Sequence, residues 1–282
     1  MTVSDQEIAS LAASHDIIHL GMVADEIRRA KHGTRTTFLR VADVTAEPGG
    51  AIAWPPAARE IRIAGAPADR SAAIARVADV AARAGGIPLS GFSLADLERV
   101  AAADGATLRG VLEDLRAAGL ELVAYASFDA LQDPRRAIEE VNIAGLVLAR
   151  LTIESAAGGD PLATFRAIAR LQRDVGVVRA FAPLARRLNP LAPTTGYDDV
   201  KRVALARIVV DTVPSIQVDW ARYGPKLAQV ALTVGADDVD GVSASDESAE
   251  GRRRAPLEEI RRHIRAAGLE PVERDGRFDP VP

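Results

Sequence analysis

Acid–base chemistry at neutral pH needs carboxyls or imidazoles whose surroundings shift their proton affinity, and two carboxylates stand in suitable places here. Glu154 follows the apolar run Leu146 to Ile153, and Asp219 lies in the run Ser215 to Trp220. If their carboxyls converge, each raises the other's pKa and they form an acid/base pair. If they do not, both are solvated or paired with one of the chain's 32 arginines, which outnumber three lysines. Arg40 and Tyr125, towards the ends of other β-like runs, and Gln217, in the same run as Asp219, are candidate ligand-binding groups, Arg40 for a small anionic metabolite. Asp43, Ser127, Thr152, Arg186 and Ser243 hold comparable positions.

Other chemistries find less support. Asp237, Asp238 and Asp240 form a compact acidic group, but strand alternation puts Asp238 and Asp240 on one side and Asp237 on the other, which suits loop and cap hydrogen bonds better than a metal. His15 and His19 have the i, i+4 spacing of zinc ligands, yet no third ligand follows, so no metal is expected. Gly85-Gly86 and Gly158-Gly159 lack the spacing of phosphate-cradling loops and read as turns. No G-x-S-x-G elbow is present. The sequence contains no cysteine, which removes disulfides, thiolate nucleophiles and cysteine-held iron–sulfur clusters together.

These residues need a frame. With 282 residues, 48% hydrophobic, the chain can bury one large core. Its net charge of -4 comes from charges of alternating sign, so no nucleic-acid partner is expected, and no stretch approaches the ~18 to 20 uninterrupted apolar residues of a membrane span, so no membrane partner is expected either. Asp5 and Glu7 stand where a signal peptide would be basic, and the expected location is cytoplasmic. Apolar positions from Ser4 to Lys31 recur at helical steps, giving two helices or one bent one. From Thr36 onward, eight β-like runs take turns with amphipathic runs. The expected fold is an α/β (β/α)8 TIM-like barrel, complete or slightly open, with an open doubly wound sheet as the alternative. Residues 1–35 would form an N-terminal helical extension and 36–282 the barrel, as a single domain. The Pro/Gly-rich stretch Thr45 to Ala58 falls at the mouth, where Trp54 would plug the opening or else pack on a neighbouring helix. Ser243 to Arg254 reads as a solvated loop.

The C-terminal third carries Thr195-Gly196-Tyr197-Asp198-Asp199, Ala206-Arg207-Ile208, Pro214-Ser215-Ile216 with Trp220, Gly224-Pro225-Lys226-Leu227-Ala228-Gln229 and Gly235-Ala236-Asp237-Asp238-Val239-Asp240-Gly241. This pattern resembles the radical S-adenosylmethionine enzymes of the futalosine route to menaquinone, aminofutalosine synthase and dehypoxanthine futalosine cyclase, and the related deazaflavin synthase subunit. Phe181-Ala182-Pro183-Leu184 and the stretch from Leu20-Gly21 to His32-Gly33 extend it, so that it covers roughly residues 15 to 41 and 165 to 275. The resemblance implies a barrel whose first strand leads into a C-x3-C-x2-C loop holding a 4Fe–4S cluster.

Here that loop is Ala46 to Ala57, with neither cysteine nor histidine. The family's paired glycines after the second strand appear as Ala64-Gly65, and of its Gly-His-x-Glu only Glu154 remains, in Leu151-Thr152-Ile153-Glu154. The frame resembles the family's while the redox ligands are missing. The expectation is a cluster-free, pseudoenzyme-like relative without radical activity, with no cofactor. It would act as accessory subunit to a cysteine-bearing radical SAM paralogue of the same pathway or as a binder of an intermediate. The alternative is an enzyme using Glu154 and Asp219 for cluster-independent acid/base chemistry.

Overall fold

The computed structural model describes residues 3–47, 49, 53–155, 160–187, 194–245 and 256–281. Helices α1 (Asp5–Ala13) and α2 (Ile17–His32) precede β1 (Arg35–Thr45), and a loop leads to β2 (Glu60–Ala64). Then follow α3 (Arg70–Ala81), β3 (Leu89–Ser93), α4 (Leu94–Ala103), α5 (Leu108–Ala117), β4 (Leu122–Ser127) and α6 (Pro134–Ile143). Next come β5 (Val147–Ser155), α7 (Pro161–Val175), β6 (Val178–Arg187), α8 (Gly196–Val209) and β7 (Ser215–Asp219). The chain continues through α9 (Trp220–Thr233), β8 (Asp238–Ser243), α10 (Pro256–Ala266) and β9 (Glu270–Arg274).

Neighbouring strands from β1 to β8 are all parallel, and β8 pairs back with β1, so the sheet closes into the expected (β/α)8 barrel. Helices start where the sequence offers a cap. Each of α1 to α9 begins on Ser, Thr or Asp whose side-chain oxygen accepts a first-turn N–H, a contribution of about 1 kcal/mol apiece. Between helices and sheet lies the apolar layer, in which Phe165 of α7 meets Phe181 of β6 edge-on with ring centroids 5.4 Å apart. The N-terminal helices pack against α8 in the outer ring. No described helix is long and apolar enough to cross a membrane.

Several elements depart from the pattern read in the sequence. The amphipathic run Leu94 to Ala118 divides into α4 and α5, because Gly105 takes a left-handed φ of 64° and Thr107 caps a new helix. Helix α9 starts at Trp220 instead of Lys226 and kinks at Gly224-Pro225, where Gly224 has φ 77°. Strand β9 was hidden altogether, because Glu270-Pro271-Val272-Glu273-Arg274 shows no alternation and contains a proline. It pairs with the first half of β1, from Arg35 opposite Glu270 to Leu39 opposite Arg274, while β2 pairs with the second half. Thus β9 wedges between β1 and β2 at the N-terminal end of the barrel. Gly158-Gly159 and most of the Ser243 to Arg254 stretch lie outside the described residues.

The barrel interior is ionic where branched apolar layers are usual. Arg274 grips Asp238 with two bonds, Nε to Oδ1 at 2.6 Å and Nη2 to Oδ2 at 2.7 Å. Gln217 donates to the same carboxylate at 2.6 Å. Two rungs higher, Arg62 donates to Asp240 at 2.9 and 3.1 Å and to Glu60 at 2.9 Å, and Arg150 reaches Asp240 from β5. Ser90 donates to Glu60 at 2.6 Å. Asp238 and Asp240 do share a side, as alternation requires, and Asp237 points away to Arg207. Removing one partner of such a pair strands a charge away from water, so Arg274→Met is expected to cost about 3–5 kcal/mol of unfolding free energy. Urea denaturation checks this, and the double variant Arg274→Met with Asp238→Asn should recover part of the loss; a loss under about 1 kcal/mol for the single variant contradicts it.

Candidate functional site

At the C-terminal ends of the strands the barrel opens into a cavity of about 590 Å3. Its wall is drawn from nearly every strand: Asp43 of β1, Gly65 after β2, Phe92 and Ser93 of β3, Tyr125 of β4, Arg186 of β6, and Asp219 with Arg222 at the β7–α9 junction. Arg62 and Arg150 form its floor, already committed to Asp240 beneath them. Burial alone would push Asp240 upward, but Arg150 and Arg62 together hold its carboxyl well below the usual carboxylate range.

Local backbone geometry shapes this wall. Strand β3 runs into α4 without a loop, since Ser93 ends the strand and also caps the helix, accepting from Asp96 N at 3.0 Å. The turn is made by Phe92, a buried aromatic with φ 58°, a conformation that a side chain of this kind adopts only where its surroundings impose it. Gly241 has φ 73°, and a Cβ there would stand 2.8 Å from the Asp219 carboxylate, so glycine is what lets β8 pass this close to the start of α9.

Two arginines give the cavity its character. The Arg186 guanidinium lies 3.8 Å over the Tyr125 ring, and its ion-pair partner among the described residues is Glu154, at 3.9 Å. Burial lowers its pKa from the usual guanidinium value, the mark of a charge only partly compensated. Arg222 donates to the Arg186 carbonyl at 3.1 Å, which sets the two side by side, and Tyr223 donates to the Ala185 carbonyl at 2.8 Å. Burial pushes the Tyr223 phenol up to about 12. The wall therefore presents Arg186 and Arg222 on its β6–α9 side, with Asp219 3.9 Å from Arg222, and the Asp43 carboxylate on its β1 side.

The residues singled out in the sequence separate into three groups. Tyr125 and Asp219 line the cavity; Asp219 caps α9 by accepting Arg222 N at 2.9 Å and stands 3.7 Å from Arg150. Glu154 does not line it: Ser127 holds it at 2.8 Å and Arg187 at 2.6 Å. Glu154 and Asp219 thus end on separate arginines. Gln217 is buried below the floor, against Asp238. Arg40 corrects the expectation of an anion ligand at the mouth, because its guanidinium is buried against Glu273 of β9 at 2.7 Å, where the unforeseen strand supplies a carboxylate. Trp54 is likewise no plug. It packs with Ala42, Ala58 and Ala244, and does not border the cavity.

Arg62, Arg150 and Arg222 were not foreseen as site residues. A signal existed: Arg62 and Arg150 interrupt the apolar runs Ile61 to Ile63 and Ala149 to Leu151, which a strand tolerates only if an opposite charge waits inside, as Asp240 does. Among the described residues no three His, Cys, Asp or Glu side chains gather as a metal site would require. Nor does the loop after β1 fit a 4Fe–4S cluster. Residues 46–57 offer one carboxylate, Glu47, where three thiolates are needed, and Ala46 is tied to Ala64 by a backbone bond of 2.9 Å.

Asp43 supplies a test of the cavity's electrostatics. Water in the cavity reaches it, yet its recessed position pushes its pKa up, with Arg62 opposing and Asp240 and Glu60 adding to the rise. The folded state then holds this proton more tightly than the unfolded chain does. Ionising Asp43 costs stability, a cost absent below the ordinary carboxylate range and complete above the raised value. Asp43→Asn should therefore melt at a higher temperature than the parent at pH 7, the gain disappearing as pH falls through the carboxylate range. Melting curves across pH check this, and an equal or lower midpoint at pH 7 contradicts it.

Comparison with known proteins agrees with this architecture. The CofH/MqnC C-terminal region family matches residues 180–282. The 5-amino-6-(D-ribitylamino)uracil–L-tyrosine 4-hydroxyphenyl transferase of Methanococcoides burtonii is 30% identical over 225 residues, 67% of this chain and 63% of that protein. The aminodeoxyfutalosine synthase of Thermus thermophilus is 36% identical over 129 residues, 40% of this chain and 34% of that protein. The matches thus span from about a third to just under two thirds of these relatives. In fold, methylornithine synthase superposes with a TM-score of 0.69 at 13% identity, covering 96% of this chain and 94% of that one. The hydrogenase maturase HydG from Carboxydothermus hydrogenoformans gives 0.67 at 11%, covering 96% and 76%. The chain is a relative, without cysteine, of the CofH-type and aminodeoxyfutalosine synthase-type radical S-adenosylmethionine enzymes.

Proposed function

We propose that this protein binds a small anionic metabolite of the futalosine route to menaquinone in its barrel mouth and performs no radical chemistry, serving a cysteine-bearing relative in the cytoplasm as an accessory. The observation that carries this reading is the Arg186–Arg222 pair in the cavity wall of a chain that lacks every thiolate. Arg186 is half-buried and stacked on Tyr125, and Glu154 reaches it only at 3.9 Å while being held by Arg187 at 2.6 Å, so an incoming carboxylate or phosphate meets a desolvated, preorganised cation with one weakly placed partner. Tyr125 offers a flat apolar surface beside it for the body of such a molecule. Acid/base catalysis by Glu154 and Asp219 gains no support, since each is engaged elsewhere.

Calorimetric titration with anionic aromatic compounds, including aminodeoxyfutalosine-like carboxylates, tests the binding. Saturable binding is expected, with Arg186→Ala together with Arg222→Ala weakening it by about tenfold or more and Glu154→Gln changing it less than about twofold. Co-purification with a cysteine-bearing relative would fit the accessory role. Conversion of any of these compounds by the isolated protein, or binding indifferent to Arg186 and Arg222, overturns the reading.

A further inference from the structure

The mouth is not the only concave surface of this barrel. At the opposite, N-terminal end a second cavity of about 300 Å3 opens between the starts of β1, β6, β7 and β8, with the β9 end and the C-terminal segment along one side. Arg35, Arg179 and Arg274 line it, together with His32 and a single carboxylate, Asp237. We propose that this floor cavity is a second binding site, for a small oxyanion such as phosphate or the phosphoryl group of a metabolite.

Charge bookkeeping favours an anion. Asp237 is already engaged, accepting from Arg207 and from Ile216 N at 2.8 Å. Arg274 is committed to Asp238 and lies 3.7 Å over the Phe278 ring. Arg35 and Arg179 have no hydrogen-bond or ion-pair partner among the described residues, although both line the same cavity. His32 adds a polar atom without a hydrogen bond, Nε2, whose nearest carboxylate oxygen is 3.4 Å away on Asp237. Burial, then the charges of Arg207, Lys31, Arg28 and Arg35, lower the imidazole pKa to about 4, so the ring is neutral at physiological pH and can donate to an oxyanion without adding charge. The Ser215 hydroxyl also lines the cavity, whereas that of Thr37 is taken by Asp238. Two unpaired guanidiniums, a hydroxyl and an imidazole lining one concavity are a donor set that a tetrahedral oxyanion accepts from.

The test uses the whole chain and inorganic phosphate at constant ionic strength, with heat of binding and the His32 ring proton signals followed together. Saturable binding that moves the His32 signals is expected. Arg35→Ala with Arg179→Ala should weaken the binding that the His32 signals report about tenfold or more, whereas Arg186→Ala with Arg222→Ala should remove only heat that the His32 signals do not follow. Arg35 and Arg179 are exposed, so the floor variant is expected to fold, and its melting temperature is measured alongside. An equal response to chloride, a His32 response lost only in the mouth variant, absence of binding, or His32 signals that stay still on saturation overturns the proposal. Failure here leaves the reading of the mouth untouched, since the two variants report on opposite ends of the barrel.

Discussion

A carboxylate enclosed in a barrel has no water to turn to, so Asp238 and Asp240 dictate what surrounds them. Both are almost wholly buried, and each needs a cation from across the barrel: Arg274 for Asp238, Arg62 and Arg150 for Asp240. Those cations come from β9, β2 and β5, so one strand's charges tie together elements 178 residues or fewer apart in sequence, Arg62 to Asp240 being that span. The need for Arg274 also explains why the chain returns after α10 to lay β9 against β1: the strand delivers its guanidinium to the barrel axis, and its Glu273 takes up Arg40.

This ionic layer partitions the interior. Above it the arginines of the floor are satisfied from below and leave a polar basin walled by Arg186, Tyr125, Arg222 and Asp43. Beneath it the barrel ends in a smaller basin beside His32. In a relative that holds a cluster the mouth would be organised from the loop after β1. Here that loop carries no thiolate, and Trp54 turns to cover Ala42 and Ala58 instead. On the proposed reading, what persists is the means of positioning a small molecule, which the barrel mouth supplies.

The barrel was legible because alternation of β-like and amphipathic runs is a local signal, repeated eight times, with capping residues marking helix starts such as Asp133, Asp160 and Thr195. Tyr125, Asp219, Asp43 and Arg186 were legible as mouth residues by their place at strand ends. Arg40 and Glu154 misled, since which strand-end side chains reach the axis depends on register and on partners far away in sequence. Arg40 had its carboxylate on a strand that carries no pattern, and Glu154 was taken by Ser127 and Arg187 beside it. The interior charges were visible as residues but not as a network, because pairing across a closed barrel leaves no spacing to read.

The proposed reading is that the barrel works without a 4Fe–4S cluster, and anaerobic reconstitution with iron and sulfide, followed by iron analysis and absorption spectroscopy, tests that most directly. The account predicts no stoichiometric iron and no charge-transfer absorption near about 400 nm, the range expected of thiolate-held clusters, with the protein remaining folded throughout. Stoichiometric iron accompanied by such a band would contradict it.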